Sequence, residues 1–404
     1  MVEQALILAA GQGTRMRPLT ARLPKPLLPA GGAPFLEHQL HALAEVGVKH
    51  VVVLVGYRMR EVRETLGDGG RFGLELEYLV QEEQLGTGHA VAQAAGKLNE
   101  IFFCLNGDTL VTTETLRALT TATGEHALAI AQVADCSSYG LIKAHKGKLV
   151  SIIEKSGKGP GGINAGIYRF APSIFEALKA IERSPRGEYE LTTALEAVAQ
   201  GITVVEVEGD WLDLGRPWDL LTANTLLLSR MKSSIEGIVE EGTVLKGAVH
   251  VAAGAIVKAG CRIEGPVWIG PDAIVGPNAC IRGATMLGTG AKVGAASEVK
   301  NSILMERSKA PHHNYVGDSI LGRNCNLGSG TKIANLRHDG ASIYVIIRGE
   351  RVDSGLRKLG VILGDDVKTG INASLNVGTI LGEETVVGPG RVVSGSWAAG
   401  SRIL

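Results

Sequence analysis

The chain has 404 residues, enough for two domains with separate cores, and its 41 Lys plus Arg balance its 41 Asp plus Glu. That balance excludes a global field that would recruit nucleic acid or an anionic membrane, so any anion site must be local. Five scattered cysteines without C-x-x-C spacing argue against a disulfide framework or a zinc site; with no export signal and no apolar run of bilayer length, a cytoplasmic protein is expected.

The opening strand is the apolar run Ala5-Leu6-Ile7-Leu8, and a glycine loop follows it. Gly11 and Gly13 remove two β-carbons, which lets backbone N–H groups approach a phosphate. Arg15, Arg17 and Lys25 come next, on a path stiffened by Pro18, Pro24 and Pro26. Three cations on such a loop suit a triphosphate. The dinucleotide fingerprint G-x-G-x-x-G fails because position 16 is Met, and no Gly-Lys-Ser/Thr phosphate loop occurs.

Helical spacing from Pro34 to Gly47, a buried strand at Val51–Val55, a charged helix at Met59–Leu66 and a strand at Leu74–Val80 follow in turn. Such alternation predicts an α/β nucleotide-binding domain with a mixed, mostly parallel sheet, whose ligands bind beyond the carboxyl ends of the strands. The strand Ile101–Leu105 ends in Asn106-Gly107-Asp108, which places a carboxylate, a candidate Mg²⁺ ligand, at that crevice. Trp211-Leu212-Asp213-Leu214-Gly215 supplies a second carboxylate before a helix.

The stretch Leu8–Pro26 resembles the nucleotide-binding loop of the sugar-1-phosphate nucleotidylyltransferases. The resemblance implies nucleotide contacts from Leu8, Ala9, Ala10, Gly11, Gly13, Thr14 and Gly107, with Arg15 and Lys25 catalytic. The run Gln84-Leu85-Gly86-Thr87-Gly88-His89-Ala90 is similar to the loop of the UDP-N-acetylglucosamine pyrophosphorylases, in which Gln81, Gly86 and Thr87 would contact the uracil. Gly140, Glu154, Lys155 and Asn164 fall at the spacing this family uses around its sugar. Asp213 matches the W-x-D-x-G aspartate that shares the metal with Asp108. The PLT and WxDxG forms lean toward thymidylyl- and mannose-type relatives, so UTP and dTTP both stay open.

From Val239 the character changes. Aliphatic residues recur at every sixth position from Val239 through Leu245, Val251 and Val257 to Val293 and Val299, with mostly small residues four positions later. No helix has this period; it predicts a parallel β-helix of hexapeptide repeats with three faces per coil. The expected domains are therefore 1–228, a linker at 229–238, and 239–404. The ladder breaks at Glu306–Asp318 and at Asn335–Leu359.

This second half resembles the left-handed β-helix acyltransferases, which assemble as trimers with acyl-CoA between adjacent helices; the resemblance implies a homotrimer through the β-helix, alone or paired as a dimer of trimers. The segment Lys309-Ala310-Pro311-His312-His313-Asn314-Tyr315-Val316-Gly317-Asp318 is similar to the base segment of the bifunctional uridylyltransferase/glucosamine-1-phosphate acetyltransferases. That resemblance implies His312 as the base, and Arg282, Lys300, Tyr315, Asn326, Asn335 and Lys358 around the sugar phosphate. Pro311, His313 and Leu336 depart from the pattern. The whole is identified as a member of the bifunctional nucleotidylyltransferase/acetyltransferase family, archaeal type. It would take acetyl-CoA, an amino-sugar 1-phosphate, a nucleoside triphosphate and Mg²⁺. Two alternatives are a single-activity glucose-1-phosphate thymidylyl/uridylyltransferase or mannose-1-phosphate guanylyltransferase with a structural β-helix, and a non-catalytic subunit with the same domain pair.

Overall fold

The computed structural model describes residues 2–154 and 157–404. Contacts divide the chain into two compact units. The first comprises residues 2–12, Pro24–Leu27 and Phe35–Asp213; the second comprises Gly13–Leu23, Leu28–Pro34 and Leu214–Leu404.

The first unit is built on a nine-stranded sheet. The apolar runs Gln4–Ala9, His50–Val55 and Phe102–Asn106 are buried through their middles, where Leu6, Val52 and Cys104 show 0% exposure. Burial on both faces explains why these segments read as continuous apolar runs rather than alternating ones. With Glu75–Val80 they make a parallel half, in the order Glu75–Val80, His50–Val55, Gln4–Ala9, Phe102–Asn106. Gly161–Phe170 then joins antiparallel, followed by His126–Val133, the parallel Ile202–Glu206, and the hairpin Lys148–Glu154/Gly140–His145. The sheet is thus mixed, and its parallel half carries the loop ends.

The second unit is a three-sided stack of parallel strands, consistent with a left-handed β-helix. Val249 pairs with Val267 and Ile256 with Ile274, so one coil takes 18 residues, three hexapeptides. The in-phase residues Val251, Val257, Ile263, Ile269, Val275, Ile281, Leu287, Val293 and Val299 point inward from all three faces and stack as three aliphatic columns, Val251 on Ile269, Val257 on Val275 and Ile263 on Ile281, each residue at 0% exposure. Left-handed corners at Asp272, Asn278, Ala296, Asn301, Arg307 and His313 turn the chain between faces. The first rung, Ser234–Ile235, pairs with Val249–Val251 and lies inside residues 229–238, the stretch expected to link the domains. Its signal was hidden because Ile235, in the end coil, is exposed and out of the six-residue phase.

The first expected break, Glu306–Asp318, is a correction: the coil continues there through Lys309–His312 and Tyr315–Gly317. Glu298 pairs with Tyr315 and Ile303 with Ile320, 17 residues apart, so one residue has been removed from a corner and the phase slips. Asn335–Leu359 does leave the stack. It carries the antiparallel hairpin Tyr344–Ile347/Glu350–Asp353, and Leu359 N–H donates to Asn335 O at 3.1 Å to close its base.

Within the same unit the helix Asp219–Ser229 offers a fully buried Asn224, whose Oδ1 accepts from Gly31 N–H at 2.9 Å while Nδ2 donates to Ala284 O at 2.8 Å. Gly32, at φ 93°, leaves room that a β-carbon would take within 2.5 Å of the Trp268 ring. These contacts explain why the short segment Leu28–Pro34 groups with the β-helix.

Candidate active sites

In the first unit Leu8 pairs with Asn106, which brings the end of the first strand and the Asn106-Gly107-Asp108 turn to one edge. Gly107 N–H donates to Leu8 O at 2.9 Å, and a β-carbon there would stand 2.8 Å from that oxygen, so only glycine fits. A cleft of about 320 Å³ opens beside it, brought together by Leu8, Ala10, Gly11, Gln81, Thr87 and Asp108, with Gly86 in its lining. Gly86 has φ 107°, and a side chain would meet Tyr189 O at 2.5 Å. Ala9 is buried behind the strand end rather than in the lining.

Gln81 is buried, with its amide nitrogen 3.2 Å from His89 Nδ1; Gln93 stands 3.2 Å from the other ring nitrogen. His89 thereby fixes the Gln81 carboxamide, a role that sequence reasoning missed. It also missed Gln84, whose Nε2 donates to Ala10 O at 2.8 Å, and Glu188 in the same lining. Polar residues on loops carry no periodicity that would have singled them out.

Lys25 is 8% exposed and paired with Asp108. Asp213 lies on Leu212–Asp213, antiparallel to Thr109–Leu110 and directly opposite Thr109, the residue after Asp108. Two carboxylates on neighbouring strand ends suit magnesium, which takes one or two carboxylates plus phosphate oxygens. No group of three or more His, Cys, Asp or Glu side chains that could hold a metal occurs among the described residues, so a dedicated protein cage is not what this site offers.

Among the residues expected to meet a sugar, Gly140 stands opposite Glu154, and a β-carbon at Gly140 would lie 3.1 Å from Glu154 Oε1. Glu154 also faces Arg186 at 3.9 Å, while Arg186 grips Glu190 through Nε at 3.1 Å and Nη2 at 2.6 Å. Asn164 Oδ1 accepts Gly166 N–H at 3.1 Å. Trp211 Nε1 donates to Ala165 O at 2.9 Å, and its ring meets Tyr139 edge-on at 5.9 Å. Lys155, also expected here, lies outside the described residues.

Gly13, Thr14 and Arg15 belong to the second unit. Gly13, at φ 60°, opens a single turn, Thr14–Met16, which buries Met16 and leaves Arg15 exposed. The arm is anchored further on, where Arg22 donates to Asp366 at 2.9 Å and pairs with Glu384, and Arg323 Nη2 donates to Arg22 O at 3.0 Å.

The second cluster arises where the coils shorten. The corners Lys300-Asn301-Ser302 and Gly317-Asp318-Ser319 each turn through one left-handed residue, Asn301 at φ 45° and Asp318 at φ 49°. Asp318 N–H donates to Lys300 O at 2.9 Å, and Ser319 N–H to Ser302 Oγ at 3.0 Å, so the two corners stack. Asp318 is 4% exposed and becomes a hub: it receives Lys300 Nζ at 3.2 Å, Asn301 Nδ2 at 2.8 Å, and Asn335 Nδ2. Asn335 Nδ2 also lies 3.4 Å from Tyr315 Oη. Gly317 leaves room for the cluster, because a β-carbon would stand 2.6 Å from Asn335 Nδ2 and 2.9 Å from Tyr315 Oη and displace both side chains.

Arg282 donates to Glu298 at 2.8 Å, and that bond holds its guanidinium above its ordinary range. Arg282 pairs with Lys300 in register, and Glu298 with Tyr315, so all four occupy one face. Lys358 bridges Leu336 at the base of the excursion, exposed. His312 and Asn326 lie on the adjoining face, both exposed; His312 pairs with Ala295, and its carbonyl accepts Gly330 N–H at 3.0 Å. His313, at φ 51°, is a left-handed corner residue like Ala296 one coil below. Asp318 and Asn301 were absent from the sequence-derived set, although the Gly-Asp dipeptide after Tyr315 was its visible trace.

Two family models match separate stretches of the chain. The nucleotidyl transferase family model matches residues 4–230, and that of the GMPPB C-terminal domain matches residues 263–399. The Bifunctional protein GlmU of Methanococcus maripaludis (strain C7) is 44% identical over 390 residues, covering 95% of this chain and 93% of its own. The bifunctional sugar-1-phosphate nucleotidylyltransferase/acetyltransferase of Sulfurisphaera tokodaii is 37% identical over 397 residues, 97% of each chain. Among solved structures, a putative glucose-1-phosphate thymidylyltransferase from Bacillus anthracis, in complex with a sucrose, superposes with a TM-score of 0.51 at 27% identity. It covers 55% of this chain and 94% of its own.

Proposed function

The chain belongs to the nucleotidyl transferase family, and from that premise we propose that it is a bifunctional enzyme of nucleotide-sugar synthesis. One site transfers acetyl from acetyl-CoA to the amine of glucosamine 1-phosphate. The other couples N-acetylglucosamine 1-phosphate to UTP, giving UDP-N-acetylglucosamine and pyrophosphate. The observation that carries the two-site reading is the buried Asp318 hub, on which Lys300, Asn301 and Asn335 converge. A β-helix serving only as scaffold has no use for a charged cluster at a shortened corner.

In nucleotidyl transfer the sugar phosphate oxygen attacks the α-phosphorus in line, and the bond to pyrophosphate breaks. Such a step asks for positioning and charge stabilisation rather than covalent help. Gly11 lets the backbone reach the phosphates, Gly107 seats the Asp108 turn against Leu8, Gln81 and Gly86-Thr87 read the base, and Arg15 and Lys25 meet developing charge. Asp108 and Asp213 would hold Mg²⁺, which neutralises phosphate charge when bound. The Lys25–Asp108 pair keeps both groups ordered.

In acetyl transfer His312 takes a proton from the sugar amine. The nitrogen attacks the thioester carbonyl, the C–S bond breaks, and coenzyme A leaves as a thiol. A histidine suits a proton transfer near neutrality. Lys300, Arg282 and Lys358 hold the sugar phosphate, while Tyr315, Asn326 and Asn335 position the sugar. Assembly is through the β-helix as a homotrimer, which would set acetyl-CoA between adjacent stacks.

The test is a product screen of the purified full chain with acetyl-CoA, several amino-sugar 1-phosphates and each nucleoside triphosphate. Release of coenzyme A and of pyrophosphate supports the reading. Pyrophosphate without coenzyme A from any amino sugar would reduce it to a single activity.

A further inference from the structure

The β-helix unit contains another cavity, of about 420 Å³, which the reactions above do not use. That volume falls within the range of small-molecule sites. Three segments of this unit enclose it: the arm Gly13–Leu23, the hairpin of the excursion, and the last coils around Ile380 and Trp397.

Two guanidinium groups line it. Arg348 and Gly349 form the hairpin's two-residue turn, with φ 53° and 82°, the signs of a type I′ turn. Asn or Gly is favoured at the first position of that turn, and arginine adopts it at a cost. What the cost secures is placement: Arg348 Nη2 donates to the Thr14 hydroxyl. Arg17 also lines the cavity, exposed and with no side-chain partner among the described residues. The Trp397 indole N–H donates to Ser394 O at 3.0 Å, which fixes the ring while leaving it 40% exposed. Ile346 and Ile380 add an aliphatic wall, and Glu383 an acceptor for hydroxyls.

Paired guanidiniums suit a diphosphate, a tethered indole suits a base, and a carboxylate favours sugar hydroxyls over a bare polyanion. We propose that this cavity is a second nucleotide site, taking a nucleoside diphosphate moiety, free or within a nucleotide sugar. Arg348, held by the Thr14 hydroxyl, and Arg17 would meet the two phosphates. The binding does not rest on the proposed function.

Equilibrium dialysis of the full chain against UDP, UDP-N-acetylglucosamine and pyrophosphate tests it. Wild type should bind two nucleotides per chain. Arg348→Ala with Trp397→Ala should weaken one of them about tenfold or more, and Gln81→Ala should weaken the other. Unchanged acetyl transfer certifies the fold of the double variant; should it misfold, Arg348→Gln at the exposed hairpin tip replaces it. UDP and the nucleotide sugar both binding assigns the moiety itself, whereas the sugar nucleotide alone assigns the product. One site per chain that resists the Arg348 and Trp397 changes overturns the proposal, as does equal binding of pyrophosphate. One site lost in the double variant but kept in Gln81→Ala would uphold this cavity and remove nucleotide binding from the first cleft.

Discussion

Asp318→Asn isolates the charge at the centre of the second cluster. Asparagine tolerates the left-handed backbone that Asp318 adopts at φ 49°, so the substitution changes chemistry without adding backbone strain. Three donors converge on the carboxylate, Lys300 at 3.2 Å, Asn301 at 2.8 Å and Asn335. The carboxamide has one acceptor oxygen and turns its own N–H groups toward donors. Each charge-assisted bond is worth about 1.5–3 kcal/mol. The losses do not add, because the dominant one is Lys300 left without its counter-ion, with its side chain 19% exposed. Breaking a buried pair in this way costs about 3–5 kcal/mol. For a unit of this size, that lowers its melting temperature by roughly 6–20 °C. Displaced Lys300 and Asn335 should lower acetyl transfer about 10²-fold. Thermal unfolding followed with both activities on soluble full-length protein checks this, with nucleotidyl transfer unchanged. An Asp318→Asn enzyme that melts like wild type and acetylates at the wild-type rate would refute the hub.

His312→Ala should abolish acetyl transfer while sparing pyrophosphate release. His313 sits at φ 51°, so His313→Asn is the cleaner control and should leave both activities near wild type; the reverse ranking would move the base by one residue. Asp108→Ala should lower pyrophosphate release about 10²–10³-fold at saturating Mg²⁺, and near-normal release would remove Asp108 from the metal site. A fragment ending at residue 232 lacks Asp366 and Glu384, the partners of Arg22, and the Ala284 carbonyl that receives Asn224. Its arm should be disordered and its transferase activity low; full activity in soluble fragment would show that these anchors are dispensable. His126 is 1% exposed, its Nδ1 accepts Ala171 N–H at 3.2 Å, and burial, against a weaker pull from Glu125, holds its pKa below the ordinary 6.5. The unfolded state therefore takes up the proton first, so this contribution is complete above about pH 6.5 and shrinks as pH falls toward the lower folded value. His126→Asn keeps an acceptor without a titration, so its melting temperature should vary less than wild type between pH 7.5 and 5.5, measured by thermal scans.

Periodicity along the chain was enough for much of this architecture. The six-residue aliphatic repeat from Val239 to Val299 can be satisfied only by stacking like on like. The uninterrupted runs at Leu6, Val52 and Cys104 demanded a sheet covered on both faces. The glycine loop and Asp108 stood out because each couples a glycine to a nearby charge, whereas the His312 segment stood out only by its resemblance to a known family. Deleted residues leave weaker traces. The 17-residue coils looked like a break, since removing one residue shifts the phase without disturbing the inward columns.

What the chain's order could not reveal was which distant residues complete a charge or a turn. Asp318 is one more Gly-Asp dipeptide until two shortened corners stack and turn Lys300, Asn301 and Asn335 onto it. Gln81 is an ordinary strand-end polar residue until His89 fixes it, and Arg22 a loop cation until Asp366, 344 positions later, receives it. Local propensity and pattern act over a few residues and set the elements. Desolvated charges and hydrogen bonds are decided by whichever groups the fold brings within about 3 Å, and sequence spacing carries no record of that distance.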